Sequence, residues 1–201
     1  EFADALDKGC PLTMGGPLPH VIAAKAVTFR EARSPEFKKY AQQVADNARA
    51  LGEACVKEGL DVVTGGTDNH LILVNVRTIG LTGRQAESAL HESGITLNRN
   101  SLPFDPNGPW YTSGLRIGTP AVTTLGMTPE DMKEIAAIFK IVLSNTKPLP
   151  DEKKPGEMSK AKYTIEPSAK AEAKKRVDAI LARYPVYPEL DLTFLKKAFV
   201  K

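Results

Sequence analysis

The stretch LDVVTGGTDNHLILVNV, residues 60–76, predicts two short strands joined by a turn. Residues 60–63 and 71–76 are rich in valine, leucine and isoleucine, which favour strands. The segment between them holds two glycines, an aspartate and an asparagine, which are typical of turns. This strand pair is the centre from which the rest of the domain is predicted.

A long helix is predicted immediately before the strands. Ser34 can cap its start, and Pro35 fits the first helical position because its missing N–H would be unpaired there in any case. Gly59 ends it. Apolar residues recur every three or four positions and predict one core-facing side: Phe37, Tyr40, Ala41, Val44, Ala48, Leu51 and Cys55.

Further elements are predicted after the strands. Thr82 and Gln85 have the spacing of a capping box and open a helix that runs to about residue 93. Strands are predicted at 95–98 and 115–118, and Thr128 begins a helix with Met132, Ile135, Ile138, Phe139 and Val142 facing inward. This order predicts an α/β fold, an α+β sandwich in which helices cover a mixed or antiparallel sheet.

The two ends of the chain differ from this central part. Residues 1–9 predict a short helix before a Gly/Pro-rich loop, and a start without methionine is expected of a piece of a longer protein. Residues 20–32 predict a buried helix. The Lys, Glu and Pro content of 146–167 predicts a solvated linker, followed by helices at 168–184 and 191–200.

Composition narrows the function class. The chain has 201 residues, of which 42% are hydrophobic and 25% charged, as in a soluble globular protein. A net charge of +3 is too small to predict nucleic-acid binding, and neither a membrane span nor a secretory signal is found. Cys10 and Cys55 are expected to be reduced thiols of a cytoplasmic protein. Three histidines, at positions without metal-ligand spacing, predict no metal site.

Arg116 is the strongest candidate for a binding residue. It lies in the middle of the predicted strand within TSGLRIGTP, residues 112–120, between apolar neighbours. A buried guanidinium needs an anionic partner, since leaving it unpaired costs several kcal/mol. Its planar fork could clamp a substrate carboxylate, or it could pair with an internal Asp or Glu. The sequence leaves both interpretations open.

Two loops are weaker candidates. Gly15 and Gly16 lie before a predicted helix start, where backbone N–H groups could bind a phosphate. On the residues alone, a tight turn that needs a positive φ is the better explanation of this glycine pair. The loop 98–112 is long, and long loops are commonly functional. Asn100 and Ser101 with the aromatic tip at Trp110 would suit a flat polar heterocycle, unless Trp110 is a core residue of a structural loop. The histidines His20, His70 and His91 are expected to be structural.

Together these segments resemble serine hydroxymethyltransferase (glycine hydroxymethyltransferase). The matching stretches are 15–26, 65–71, 81–86, 98–101 and 112–121. The resemblance implies the carboxy-terminal part of an aspartate-aminotransferase-like, fold type I enzyme dependent on pyridoxal phosphate. Residues 1–32 would end the large cofactor domain and start the connecting helix, 33–148 would form the small α/β domain, and 149–201 would be a linker and helical extension found in longer bacterial members.

The resemblance also implies an activity and a site. The activity is interconversion of serine and glycine with transfer of the one-carbon unit to tetrahydrofolate, by a cytoplasmic homodimer or tetramer that uses pyridoxal 5'-phosphate. The implied contacts are Arg116 to the amino-acid carboxylate, Gly15 and Gly16 to the cofactor phosphate of the opposite subunit, Asn100 to the pteridine ring, and Gly108, Pro109 and Trp110 lining the folate site.

Two points limit the resemblance. The family usually has Gly-x-Gln before the glycine pair, where this chain has Leu12-Thr13-Met14. The lysine that binds the cofactor covalently lies upstream in the family, so residues 1–201 alone are expected to be inactive. Two alternatives remain open: a stand-alone α/β module that binds or senses a small carboxylate, and another pyridoxal-phosphate enzyme of the aminotransferase type.

Overall fold

The computed structural model describes residues 1–199, which form two compact units that divide after residue 41. The first unit contains helices α1 (Ala3–Met14) and α2 (Pro19–Ala32) and the beginning of α3 (Pro35–Lys57). Helix α1 is longer than predicted and includes Pro11. The α3 start is as predicted, since the Phe37 N–H donates to Ser34 Oγ over 3.0 Å.

Helix α2 was expected to be buried, and this expectation is wrong for the structure of residues 1–41. None of its residues is buried. Phe29 is 67% exposed, and the exposed fraction of Ile22 and of Val27 is 57%. An apolar pattern shows that a helix face is suited to be covered, but does not show which part of a protein covers it.

The second unit is built on a four-stranded sheet. Strands β1 (Asp61–Val62), β2 (Leu71–Asn75), β3 (Asn98–Asn100) and β4 (Gly114–Gly118) lie in the order β1-β2-β4-β3, and every pair is antiparallel. The antiparallel option of the predicted sheet is confirmed. Three helices follow strands of this sheet along the chain: α4 (Gly83–Glu92), α5 (Pro120–Thr124) and α6 (Pro129–Ser144).

The third strand begins later than predicted. Residues 95–97 were expected to be its first part, but the Ile95 N–H donates to Leu90 O over 2.9 Å, at the end of α4. The His91 ring contacts the Leu97 backbone, with Nε2 2.9 Å from its carbonyl oxygen. These bonds hold the segment against the helix end, so pairing with β4 begins only at Asn98.

The core lies on one face of the sheet. Alternate residues of β2 and β4 are buried there against the apolar sides of α3, α4 and α6: Ile72, Val74, Leu115 and Ile117. The predicted helix stripes are confirmed at Val44, Ala48, Leu51, Met132 and Phe139. Cys55 is also buried, and burial raises the pKa of its thiol to about 12, with a smaller contribution from Glu58.

The predicted linker is wrong. Residues 146–165 form a hairpin of strands β5 (Thr146–Pro150) and β6 (Met158–Ile165), which pair antiparallel. In β6, half-buried positions alternate with exposed ones, and the lysines occupy the exposed positions. The lysines of β6 therefore lie on the exposed face of a strand, and the segment is not an unfolded linker.

Helix α7 (Pro167–Arg183) follows the hairpin, close to the predicted bounds, and packs on the core. Its buried residues are Ala169, Ala173, Val177 and Ile180. Two ion pairs join it to α6: Arg176 makes two 2.6 Å hydrogen bonds to Glu134, and Arg183 donates to Asp131 over 2.9 Å. Helix α8 (Leu192–Phe199) comes last. The predicted end of that helix at Val200 lies outside the described residues.

Asp131 is expected to make stability depend on pH. Its carboxylate accepts hydrogen bonds from Thr128 and Tyr184, which together with Arg183 outweigh the effect of burial and hold its pKa below the ordinary 3.8. A lowered folded-state pKa contributes stability above pH 3.8 that is lost as pH falls through the folded value. We expect Asp131→Asn to reduce the free energy of unfolding by about 1 to 2 kcal/mol at pH 7.

The difference in free energy of unfolding between Asp131→Asn and the natural protein should become smaller as the pH is lowered. Urea unfolding of both proteins at pH 7 and at pH 3 measures it. A difference that stays constant over this range would show that the Asp131 charge does not stabilise the attachment of α7.

Candidate functional site

The Arg116 side chain lies on the open face of the sheet. Its neighbours Leu115 and Ile117 point into the core, whereas Arg116 itself is exposed. The expectation of a buried guanidinium is therefore wrong, and so is the internal ion pair: Arg116 makes no salt bridge within residues 1–199. Its charge is available to a ligand that approaches this face.

Both polar and apolar side chains lie beside Arg116 on that face. Asn98 of β3 and Leu73 of β2 are its cross-strand partners, and Asn100 is paired with Gly114 in the next row. Directly opposite residues of an antiparallel pair have Cβ atoms about 5 Å apart, and diagonal ones are within reach of long side chains. The sheet thus brings two of the predicted site residues, Arg116 and Asn100, together on one surface.

The loop after β3 is folded around Asp105. Its carboxylate accepts hydrogen bonds from the Leu102 N–H (3.0 Å), the Asn107 N–H (2.9 Å) and the Ser113 hydroxyl (2.6 Å). Burial acts to raise the pKa of Asp105, but these bonds outweigh it and hold the pKa below its ordinary value. A long loop without regular structure is in this way given a defined shape.

Trp110 is an exposed residue of this loop, so the interpretation of it as a core residue is wrong. The side chain is 60% exposed, and two guanidinium groups lie against the indole: Arg84 at 5.1 Å and Arg99 at 5.6 Å from the ring centre. Arg99 also pairs with Glu87 of α4. Successive residues of a strand lie on opposite faces, so Arg99 lies on the opposite face of β3 from Asn98 and Asn100.

The rest of the predicted folate loop is also at the surface. Gly108 and Pro109 are exposed, and a side chain on Gly108 would meet no atom within 4 Å. The Asn100 amide donates to the Ser101 carbonyl oxygen over 2.7 Å, which leaves its own oxygen pointing away from that bond. The structure does not bring Trp110 onto the Arg116 face; it places the two on either side of the short edge strand β3.

The glycine pair lies in the first unit, between α1 and α2. Gly15 has a φ of 75°, so the positive φ that the turn interpretation requires is present at that residue. A Cβ on Gly15 or Gly16 would meet no atom within 4 Å, so the backbone there is open to the close approach of a ligand. The turn and the phosphate interpretations are therefore compatible.

Other sites receive no support. Within residues 1–199, no three His, Cys, Asp or Glu side chains are grouped so that they could hold a metal ion. No helix in that range combines the length and the apolar character needed to cross a membrane. His20, His70 and His91 are all exposed.

Two residues that shape the loop are not among the site residues predicted from the sequence. Asp105 organises it, and Lys160 of β6 donates to the Asn107 side chain over 3.0 Å. The run Asp105-Pro106-Asn107 could have indicated the first, because Asp at such a turn commonly binds the backbone two residues on. Nothing local indicated the second, since 53 residues separate Lys160 from Asn107.

Comparison with known proteins gives one family. The family model described as serine hydroxymethyltransferase matches residues 1–139. The serine hydroxymethyltransferase of Treponema pallidum is 58% identical over 201 residues, which cover all of this chain and 35% of that protein. That of Mycolicibacterium smegmatis is 52% identical over 192 residues (96% of this chain, 38% of the relative), and that of Chlamydia muridarum is 49% identical over 195 (97% and 39%).

Two facts follow from these matches. The chain spans only 35% to 39% of the length of these three relatives. The Treponema pallidum match includes residues 149–201, so the hairpin and α7 lie within the shared sequence. The resemblance noted in the sequence is confirmed: the chain belongs to the serine hydroxymethyltransferase family.

Proposed function

We propose that the longer protein to which this sequence corresponds interconverts serine and glycine and passes the one-carbon unit to tetrahydrofolate. The observation that carries the proposal is Arg116: an exposed guanidinium on the open face of the sheet, with no salt bridge to any residue from 1 to 199. A cation held in this way on a rigid strand is suited to bind a carboxylate, and both serine and glycine have one.

Arg116 would bind and orient the amino acid. Two parallel N–H···O bonds from a guanidinium fix both the position and the plane of a carboxylate. Orientation matters because only one bond at the amino acid's α-carbon is to be broken, and a misplaced substrate loses orders of magnitude in rate. The strand supports this role, since Arg116 is flanked by buried neighbours that anchor the backbone on both sides.

Gly15 and Gly16 would contact the phosphate of pyridoxal phosphate. The open space at both glycines and the positive φ of Gly15 fit a backbone that an anion can approach closely. The cofactor, when bound, supplies an electron sink for the bond broken at the α-carbon. Met14, where the family usually has glutamine, cannot donate a hydrogen bond, so binding here would depend on backbone N–H groups.

Asn100, Gly108, Pro109 and Trp110 would line the tetrahydrofolate site. An amide on the sheet face can recognise the hydrogen-bonding edge of a pteridine, and a fixed exposed indole offers a flat surface for stacking. The two groups lie on either side of β3, so a ligand that contacts both would cross this edge strand.

Assembly as a homodimer is part of the proposal. Helices α1 and α2 have no buried residues, and the exposed apolar side chains on them are too numerous for solvent contact alone: Leu6, Leu12, Met14, Ile22, Val27 and Phe29. A second subunit or the remainder of the large domain would cover them. Cys10 and Cys55 are unpaired, which agrees with a cytoplasmic protein.

The activity is tested on two polypeptides. The longer protein, supplied with pyridoxal phosphate, should form glycine from serine only when tetrahydrofolate accepts the one-carbon unit. A polypeptide limited to residues 1–201 should form none, because the family's cofactor-binding lysine lies upstream. Absence of tetrahydrofolate-dependent glycine formation by the longer protein would contradict the proposal, and turnover by residues 1–201 would show that the reactive lysine is misassigned.

A further inference from the structure

The first turn of α4 attaches to the loop that carries Trp110. Two N–H groups that have no partner inside the helix donate to loop carbonyls: Gly83 N to Thr112 O over 3.1 Å, and Arg84 N to Tyr111 O over 2.9 Å. The loop therefore ends against a helix terminus, where its last residues are fixed.

The same helix turn attaches to the β5–β6 hairpin. The Thr82 hydroxyl donates to Lys160 O over 2.8 Å, and the Gln85 amide donates to Ser159 O and Lys162 O over 2.7 and 3.0 Å. Gln85 is 1% exposed, and its oxygen completes the predicted capping box with Thr82. The first turn of α4 thus binds both the hairpin and the loop.

Lys160 connects the hairpin to the loop directly. Its ammonium group donates to Asn107 Oδ1 over 3.0 Å and lies 5.9 Å from the centre of the Tyr111 ring. Asn107 in turn donates to Ser113 Oγ over 3.0 Å, and its N–H binds Asp105. Lys160 therefore contacts the network that shapes the loop, although it belongs to a part of the chain far along the sequence.

We propose that the hairpin holds the loop in its binding conformation, and that Lys160 is a positioning residue for tetrahydrofolate. The inference rests on the proposed function, because it takes residues 108–110 as part of the folate site. Residues 103–104 and 108–110 are exposed and lack strand pairing, so ordering them on binding would cost conformational entropy. A contact that fixes the loop beforehand lowers that cost and strengthens binding.

The effect should be specific to tetrahydrofolate. The Lys160 ammonium group contacts Asn107 and Tyr111 of the loop, whereas Arg116 lies on the open face of the sheet. Loss of the Lys160 side chain should therefore raise the KM for tetrahydrofolate and leave the KM for serine unchanged. If Lys160 served only general stability, its loss would instead change both KM values or neither of them.

The test compares Lys160→Met with Lys162→Met in the longer protein. Lys162 is a matched control: it lies two residues along the same strand on the same exposed face, but its ammonium group pairs with Glu152 inside the hairpin, 2.7 Å away. For Lys160→Met we expect the KM for tetrahydrofolate to rise about threefold to tenfold, the factor that one such hydrogen bond is worth. Hydrogen–deuterium exchange of the 101–113 peptide should become faster by a similar factor, without ligand.

The exchange measurement separates this inference from the proposed function. If Lys160→Met changes neither the exchange of 101–113 nor the KM for tetrahydrofolate, the inference is wrong while the enzyme activity stands. If exchange becomes faster but only the KM for serine changes, or no KM changes, the loop is held by Lys160 but not for folate, and the inference is again wrong. If the natural protein shows no tetrahydrofolate-dependent turnover, the proposed function itself fails.

Discussion

Replacing Arg116 with lysine in the longer protein is expected to raise the KM for serine about 100-fold, while the amount of bound pyridoxal phosphate stays unchanged. Lysine keeps the positive charge but has one compact donor group instead of a planar fork, so it cannot hold both carboxylate oxygens in one plane. The loss should extend to kcat, because a carboxylate held by one bond can turn away from the reactive orientation.

The measurement needs a control for the loss of any surface arginine. Arg77→Lys provides it, since Arg77 is exposed in the same unit and lies outside the strands of the sheet. Steady-state kinetics with varied serine, together with a spectroscopic titration with glycine, compare the two variants. A KM for serine within a factor of about two of the natural value in Arg116→Lys would remove the basis of the proposed function.

Elements set by local sequence were predicted well. The start of α3 at Ser34-Pro35 and the capping box of Thr82 and Gln85 depend on residues no more than four positions apart, and both are confirmed. The predicted stripe of α3 is confirmed from Val44 to Cys55, because the helix period alone places these residues on one side. Its first part is wrong, since Phe37 and Ala41 are exposed.

The burial of Arg116 was predicted wrongly, although the sequence contained the information needed. The apolar neighbours Leu115 and Ile117 suggest an apolar environment for Arg116 only if the alternation of faces along a strand is ignored. In a strand they lie on the opposite face from Arg116, so in a sheet with one covered face they predict that Arg116 is exposed. The same alternation along β6, in place of overall composition, would have predicted the hairpin at 146–165.

Contacts between distant parts of the chain could not be predicted. Nothing near Lys160 indicates that it reaches Asn107, and nothing near Trp110 indicates that Arg84 and Arg99 hold it at the surface. Such contacts depend on how elements pack, which local patterns leave undetermined. The sequence indicates Arg116, Asn100 and Trp110 as candidates, but their arrangement around β3 requires the structure.

Gly83→Ala is expected to destabilise this unit far more than alanine at its other buried helical glycine, Gly52. A Cβ at Gly83 would lie 2.2 Å from Thr112 Oγ1, 2.7 Å from Gly114 O and 3.2 Å from Tyr111 O. The Thr112 side chain can rotate away, but the two carbonyl oxygens are backbone atoms. Gly114 lies in β4, paired on both sides, so it cannot move without disturbing the sheet.

The helix would have to move instead, which breaks the hydrogen bonds from Gly83 and Arg84 to the loop. Overpacking and two lost hydrogen bonds together should lower the free energy of unfolding by about 3 to 5 kcal/mol. Urea unfolding of the longer protein measures the loss. The exchange of residues 101–113 should increase as well, because the loop loses its attachment to α4.

Gly52→Ala is the matched control, since Gly52 is also a buried helical glycine. A Cβ there would meet Ile72 Cγ2 at 3.4 Å and Gly66 Cα at 3.7 Å, which are ordinary contact distances. Alanine in a helix interior is favoured over glycine by up to about 1 kcal/mol, so this variant should be neutral or slightly more stable. If both variants lost stability equally, the cost would come from filling buried space in general. A loss confined to Gly83→Ala would instead show that the close approach of α4 to β4 and to the Trp110 loop requires glycine at that position.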